Sequence, residues 1–244
     1  MIDRLIVSVL EWAAGHHDEG RYSPVAIVFH WTMAVLVIFQ LIWGWWMGRL
    51  PVGGDKVAAH DLHYLIGVLM LVLAMGRGLW RTLAPGPIND ADKPGWESMA
   101  AHVTHYVFYT CLFGLPLTGW AMISATAREQ QLSLVGFIPW PLMPFGDLGL
   151  VQRWQVEALA EWMHWGLVAT LLALIPIHVG AALKHHFIDR DDVFHGMLPV
   201  VPQLPRRRTR WQRRWLAAEQ WVRARARRLW PASRRRSVPR PHRP

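Results

Sequence analysis

Four long apolar runs dominate the first 190 residues of the chain. A helix needs roughly 20 residues, rising about 1.5 Å each, to cross the hydrocarbon core of a bilayer. We therefore predict membrane spans over residues 25–47, 62–80, 102–124 and 159–184. Many of the 16 Trp lie near the ends of these runs, as in the aromatic belts of membrane proteins. The pattern predicts an all-α protein, a transmembrane four-helix bundle.

Polar segments divide the chain into three parts. Residues 1–21 form an N-terminal cytoplasmic or interfacial segment, 22–199 the four-helix domain and 200–244 an Arg/Trp-rich tail. Within the domain, the proline-rich connection 126–158 is expected to be a loop lying against the membrane interface.

The distribution of Lys and Arg predicts how the bundle is oriented. The loops after the first and third spans hold four of these residues, and the other side holds the remaining 22 of 26, including 15 Arg from residue 206 onward. Because cytoplasmic segments carry the excess of Lys and Arg, both termini are expected in the cytoplasm.

The tail has the pattern of a basic amphipathic helix. Arg covers most of its surface, and the apolar stripe consists of Trp211, Trp215, Ala218, Val222 and Leu229. Such a helix would lie on anionic lipid, although a solvated, disordered tail is the alternative. No base-reading motif accompanies the charge, so no nucleic-acid partner is expected.

Two histidines lie within the fourth apolar run. His164 and His178 are 14 residues apart. At about 100° per residue this places both imidazoles within roughly 40° of one face, about 21 Å apart along the helix. Ionisable side chains at such depths are costly and usually functional.

Each of these histidines has a counterpart at the same depth. His30 begins the first span on the cytoplasmic side, level with His178, and His63 begins the second span on the outer side, level with His164. Paired axial imidazoles from facing helices of a bundle are what haem b requires. We therefore predict two haem b groups that carry electrons, held by His30/His178 and His63/His164. The single cysteine, Cys111, excludes a CxxCH haem attachment.

The same histidines allow other functions besides haem binding. Each histidine could be an isolated polar residue satisfied inside the bundle, or the chain could be a metal or proton transporter. Zinc is a weaker competitor, because it requires four ligands clustered at one site. A further metal or proton site is conceivable among four histidines at the cytoplasmic level: His102, His105, His185 and His186.

Several segments resemble the bacterial cytochrome b561 family, the four-helix, di-haem, quinone-linked membrane cytochromes. They are RYSPVAIVFHW (21–31), HYLIGVLMLVLAMGRGLWR (63–81), AHVTHYVFYTCLFGLPLTGWAM (101–122) and HWGLVATLLALIPIHVGAALKHHF (164–187). The family's haem ligands carry over onto His30, His63, His164 and His178. His63 is preferred to His60 because of its spacing to Gly67 and Arg77.

The resemblance implies a protein of the bacterial inner membrane that exchanges electrons with the quinone pool. Ubiquinone is the expected substrate, and oxidation of superoxide coupled to ubiquinone reduction is one implied reaction. The alternative is the cytochrome b membrane-anchor subunit of a hydrogenase- or dehydrogenase-like complex, which needs a redox partner protein.

Further residues are expected around these groups. Gly67 and Arg77 are placed near haem, although Gly67 would equally suit simple helix packing. His185, two turns beyond His178, is expected beside the cytoplasmic haem. With Lys184 and Arg81 it would bind a quinone head group or a haem propionate; lipid anchoring is the alternative for the two cations.

Overall fold

Long helices account for nearly all of the regular structure in a computed structural model of the chain. It describes residues 21–84, 95–126, 132–134, 138–189 and 193–199, together with Ser8 and Glu11. The predicted N-terminal segment, apart from these two residues and Arg21, lies outside the described residues, as does the tail from residue 200. The main helices are α1 (Pro24–Met47), α2 (Gly54–Leu83), α3 (Gly95–Thr126) and α4 (Leu150–Lys184).

All four main helices are long and apolar enough to cross a membrane. On α1, Val28, Val35 and Ile42 recur every seven residues and are 64%, 63% and 63% exposed. A stripe of exposed aliphatic side chains on one helix face is stable in lipid but not in water. The predicted transmembrane four-helix bundle is confirmed.

The bundle is built from sequential neighbours, α1 on α2, α2 on α3 and α3 on α4. Its core cluster joins Met33 of α1, Met70 and Ala74 of α2, and Leu112 of α3. The α3 and α4 helices approach closely at Gly114, where an added Cβ would lie 2.7 Å from Cδ1 of Leu167. A small residue at a helix contact lets two backbones approach.

Three helices begin well before the predicted apolar runs, including α3, which begins at Gly95 and not at residue 102. The α2 helix begins at Gly54 and α4 at Leu150, so His63 and His164 both lie several residues inside their helices. The additional turns carry charged residues such as Asp55 and Arg153. Charge limits how far a helix enters lipid, but it does not end the helical hydrogen bonding.

A two-stranded ribbon precedes α4, where the sequence predicted only a loop. Strands β1 (Leu132–Leu134) and β2 (Ile138–Trp140) are antiparallel, with Leu132 opposite Trp140. The segment is tied to the end of α3 because Trp120 Nε1 donates to the Pro141 carbonyl at 2.8 Å and Met143 N to Ser124 Oγ at 3.0 Å. We call this end of the bundle the hairpin side.

The opposite end, which we call the terminus side, holds the first turn of α1 and the last turns of α4. There, α4 continues into a π-helical turn, His185–Asp189, and a short helix follows, α5 (Val193–Gly196). Ser23 caps α1 through the Ala26 amide at 3.4 Å and also accepts a hydrogen bond from Trp80 Nε1 at 2.9 Å. The start of α1 is thereby fixed to the end of α2.

Candidate functional site

The hairpin side brings together two histidines from non-adjacent helices. The imidazole of His63 on α2 faces that of His164 on α4, with ring centres 6.3 Å apart and planes inclined by 64°. His60, the other histidine near the start of α2, instead has its Nδ1 2.7 Å from the Lys56 carbonyl oxygen of its own helix.

A second pair lies at the terminus side. His30 on α1 and His178 on α4 have ring centres 6.2 Å apart, with planes inclined by 57°. The α4 helix therefore contributes one member to each pair, and the pairs lie in separate layers with the bundle core between them.

Both separations suit two ligands on opposite sides of one metal ion. With a metal–nitrogen bond of about 2 Å, a ring centre lies roughly 3 Å from the metal, so two opposed imidazoles have centres about 6 Å apart. The observed 6.3 Å and 6.2 Å match this value. The two imidazoles of each pair are therefore spaced so that they could hold one metal ion between them.

An apolar cavity surrounds the hairpin-side pair. Its empty space is about 790 Å³, part of it open to the surroundings, and His63, His164, Gly67, Leu115 and Trp140 are among its lining residues. A glycine lies beside each ring: an added Cβ would lie 3.6 Å from His63 Cε1 at Gly44 and 3.8 Å from His164 Cε1 at Gly119, and Gly119 lines the cavity. A flat macrocycle fits such a cradle.

Thr118 lies beside Nδ1 of His164, the candidate ligand on α4. Its hydroxyl lies 2.8 Å from the Gly114 carbonyl oxygen, to which it donates, and 3.0 Å from His164 Nδ1. With its proton directed to the carbonyl, the oxygen accepts a hydrogen bond from Nδ1–H of His164. This tautomer leaves the lone pair of Nε2 for a metal.

Other polar atoms near the cavity lack partners among the described residues. Gln40 Nε2 donates to the His63 carbonyl oxygen at 2.9 Å, whereas Gln40 Oε1, His63 Nδ1 and Trp140 Nε1 are buried without a hydrogen bond. Buried polar groups are normally satisfied. Three such atoms around one cavity are consistent with a bound group that carries polar substituents.

The terminus-side pair has a cation beside it. Arg77 Nη2 lies 3.4 Å from His30 Nδ1, and its guanidinium carbon lies 5.9 Å from the centre of the Tyr109 ring. Because a guanidinium only donates, this contact uses the Nδ1 lone pair. Binding of metal through Nε2, with a proton on Nδ1, therefore requires Arg77 to take another partner.

A third histidine lies beside this pair; the sequence placed it at the cytoplasmic level but did not predict its contact with His178. His105 on α3 has its ring centre 6.3 Å from that of His178, almost the same separation as His30. His105 begins the third apolar run, so it matches His178 in depth just as His30 does. Depth alone does not tell which of the two faces His178.

Of the remaining predicted residues, Lys184 and His185 lie close together, whereas Arg81 is separate from them. Lys184 Nζ lies 2.8 Å from Glu97 Oε1 and 2.8 Å from Asp189 Oδ2, and His185 Nδ1 is 3.2 Å from the same Asp189 oxygen. Lys184 and His185 are thus joined through a carboxylate, which competes with any acidic ligand for the lysine. Arg81 is exposed on α2.

The fold defines a multi-span membrane protein, and its two histidine pairs are spaced to hold metal. The family model described as prokaryotic cytochrome b561 matches residues 21–200, and the chain belongs to this family. The resemblance noted from the sequence is confirmed.

Individual relatives agree with this membership. The chain is 32% identical over 179 residues to cytochrome b561 homolog 2 of Escherichia coli (strain K12), covering 73% of this chain and 91% of the relative. It is 26% identical over 183 residues to cytochrome b561 homolog 1 of the same organism, covering 74% and 98%. It is also 26% identical over 185 residues to the probable superoxide oxidase CybB of Yersinia pestis, covering 73% and 96%.

Membership makes the chain a multi-pass bacterial membrane cytochrome, an electron-transport protein of oxidoreductase type that binds haem b. The spacing of both histidine pairs, the glycine cradle and the unpartnered polar atoms fit that group.

Proposed function

We propose that the chain is a di-haem b cytochrome that exchanges electrons with the quinone pool. His30 and His178 would hold the terminus-side haem, and His63 and His164 the hairpin-side haem. The observation that carries the proposal is that α4 supplies one imidazole to each of two pairs whose ring centres lie 6.2 Å and 6.3 Å apart. The haem b held by these four histidines would supply a one-electron iron couple.

The vertical spacing of the pairs supports transfer across the membrane. His164 and His178 are separated by 14 residues of continuous helix, about 21 Å. The apolar core between the layers, including Met33 and Leu112, excludes water. Its side chains hold the two sites apart without placing a charge between them.

The cationic side chains at the terminus side would position acidic and carbonyl groups. Arg77 would leave His30 and pair with a haem propionate, which allows His30 to present Nε2; Arg81 would be a second propionate partner. Asp189, 3.2 Å from His185 Nδ1, would orient that imidazole toward a quinone carbonyl. Lys184 would then act through its pairing with Asp189 and Glu97.

The orientation follows from charge. With both termini in the cytoplasm, the hairpin side would face outward from the bacterial inner membrane. The name of the Yersinia pestis relative supports superoxide as the donor. Two superoxide ions would each lose one electron to become dioxygen, and one ubiquinone would take both electrons and two protons.

The test is a reduced-minus-oxidised spectrum of the detergent-purified chain with haem quantified per polypeptide. We expect about two haem b per chain, and about one when His63 or His178 is replaced by Ala. His60→Ala is the matched control, because His60 lies one turn from His63 but contacts its own helix, and it should retain both haems. One haem in His60→Ala and two in His63→Ala would refute the ligand assignment.

Turnover separates the two functional candidates. The isolated chain should reduce ubiquinone with superoxide as the donor. Copurification with an iron–sulfur protein, together with failure of the isolated chain to turn over, would instead identify a membrane-anchor subunit.

A further inference from the structure

Another pair of histidines lies at the terminus side, separate from His178 and its neighbours His30 and His105. His186 is in the π-helical turn after α4 and His195 in α5, and their ring centres are 4.9 Å apart with planes inclined by 52°. Neither residue belongs to either proposed haem pair.

The distance between the His186 and His195 rings indicates a different coordination geometry from that of the two proposed haem pairs. Imidazoles on opposite sides of one ion have ring centres about 6 Å apart, whereas two imidazoles at a tetrahedral angle on one ion have centres about 5 Å apart. The 4.9 Å of His186 and His195 matches the tetrahedral arrangement. The pair is spaced for a small ion and not for a haem between the rings.

Both imidazoles also have a nitrogen that lacks a partner. Nδ1 of His186 and Nδ1 of His195 are buried, and neither has a hydrogen bond in the part of the chain that the structure describes. The rings of Phe187 and Phe194 pack on His186 with centres 4.6 Å and 5.1 Å away. Burying an unpaired nitrogen costs free energy, and a metal ion would satisfy both nitrogens at once.

The two histidines are held by separate parts of the fold. His186 follows directly from α4, whereas the segment carrying His195 is tied to the start of α1. In that tie, Tyr22 N donates to the Gly196 carbonyl at 3.2 Å and Trp31 Nε1 to the Met197 carbonyl at 2.7 Å. An ion bound by both histidines would therefore link the end of α4 to α1.

We propose that His186 and His195 bind a divalent transition-metal ion of the kind that prefers imidazole, such as Zn²⁺, with water completing its coordination. The ion links the end of α4 to the segment that is hydrogen-bonded to α1. The proposal does not depend on the haem assignment, because it uses neither pair of proposed axial ligands.

A neighbouring cluster is a weaker candidate for the same ion. Ligand atoms of Glu97, His185 and Asp189 lie within 4.8 Å of one another. However, Lys184 Nζ lies 2.8 Å from both carboxylates and already supplies their positive charge. This cluster serves as the comparison in the test.

The experiment is a Zn²⁺ titration of the metal-stripped, haem-loaded full chain in detergent, with competition against a chromophoric chelator. We expect one Zn²⁺ per chain, with affinity lowered at least ten-fold in both His186→Gln and His195→Gln. His102→Gln, which removes an exposed histidine of the same side, and Glu97→Gln should bind Zn²⁺ as the parent chain does. Equal affinity in the parent and both His variants, or loss only in Glu97→Gln, overturns the proposal.

A second measurement keeps the test valid if the variants fold poorly, as judged by the haem spectrum. Co²⁺ bound to the parent chain should give the intense visible bands of a four-coordinate nitrogen-ligated ion. Weak bands of six-coordinate Co²⁺ would overturn the proposal.

Discussion

Thr118 on α3 and His164 on α4 are joined by a 3.0 Å hydrogen bond between Oγ1 and Nδ1. Thr118 is buried, and its hydroxyl proton is directed to the carbonyl of its own helix. With the hydroxyl proton on a carbonyl of α3, the imidazole N–H donates to the hydroxyl oxygen. This bond strengthens the donor character of Nε2 and fixes the plane of the ring.

Thr118→Val should raise the midpoint potential of one of the two proposed haems. The substitution keeps the volume but removes the acceptor, so the imidazole donates less electron density and the ferric state loses stabilisation. A hydrogen bond contributes about 1 kcal/mol, which corresponds to roughly 20–60 mV for one electron. Potentiometric titration of the α-band measures both midpoints.

Thr118→Ser is the control, since it keeps the hydroxyl and should leave both potentials near those of the parent chain. A shift of both midpoints in Thr118→Val, or equal shifts in the Val and Ser variants, would contradict an assignment of Thr118 to His164 alone.

Gly119→Leu should remove the hairpin-side haem and spare the other. A Cβ at Gly119 would lie 3.8 Å from His164 Cε1, and the rest of a leucine side chain would occupy the cavity beside the ring. We expect about one haem per chain by pyridine haemochromogen assay. Gly166→Leu on α4 is the matched control, because the residue is exposed and a Cβ added there would lie in open space; it should retain two haems.

Gly114→Val should destabilise the contact between α3 and α4. Its Cβ would lie 2.7 Å from Leu167 Cδ1, so the leucine or the helices must shift, at a cost of about 1–3 kcal/mol. The melting temperature of the detergent-solubilised protein should fall, and Leu167→Ala in the same chain should recover part of the loss. If the double variant is no more stable than Gly114→Val, the contact is not the cause.

Features that depend on apolar runs could be predicted from the sequence, whereas features that depend on local hydrogen bonding could not. Helices that cross lipid need long runs of apolar residues, so the four spans could be predicted from the sequence. Comparing the depths of the histidines within these spans predicted that His30 lies near His178 and His63 near His164. The ribbon at 132–140 could not be predicted, because short strands next to prolines give no clear alternation. The apolar runs also mark the lipid-crossing part of α2 and not its hydrogen-bonded start at Gly54.

His105 shows where matching residues by depth reaches its limit. Its ring centre is 6.3 Å from that of His178, and that of His30 is 6.2 Å away, so distance alone does not choose the partner of His178.

The matched test compares His30→Ala with His105→Ala. We expect His30→Ala to keep only about one haem and His105→Ala to keep two, because His30 is the residue that the family's ligand pattern selects. His105→Ala should then shift only the terminus-side midpoint, since it removes a polar ring beside His178. The opposite result, two haems in His30→Ala and one in His105→Ala, would make His105 the axial ligand and leave His30 to bind Arg77.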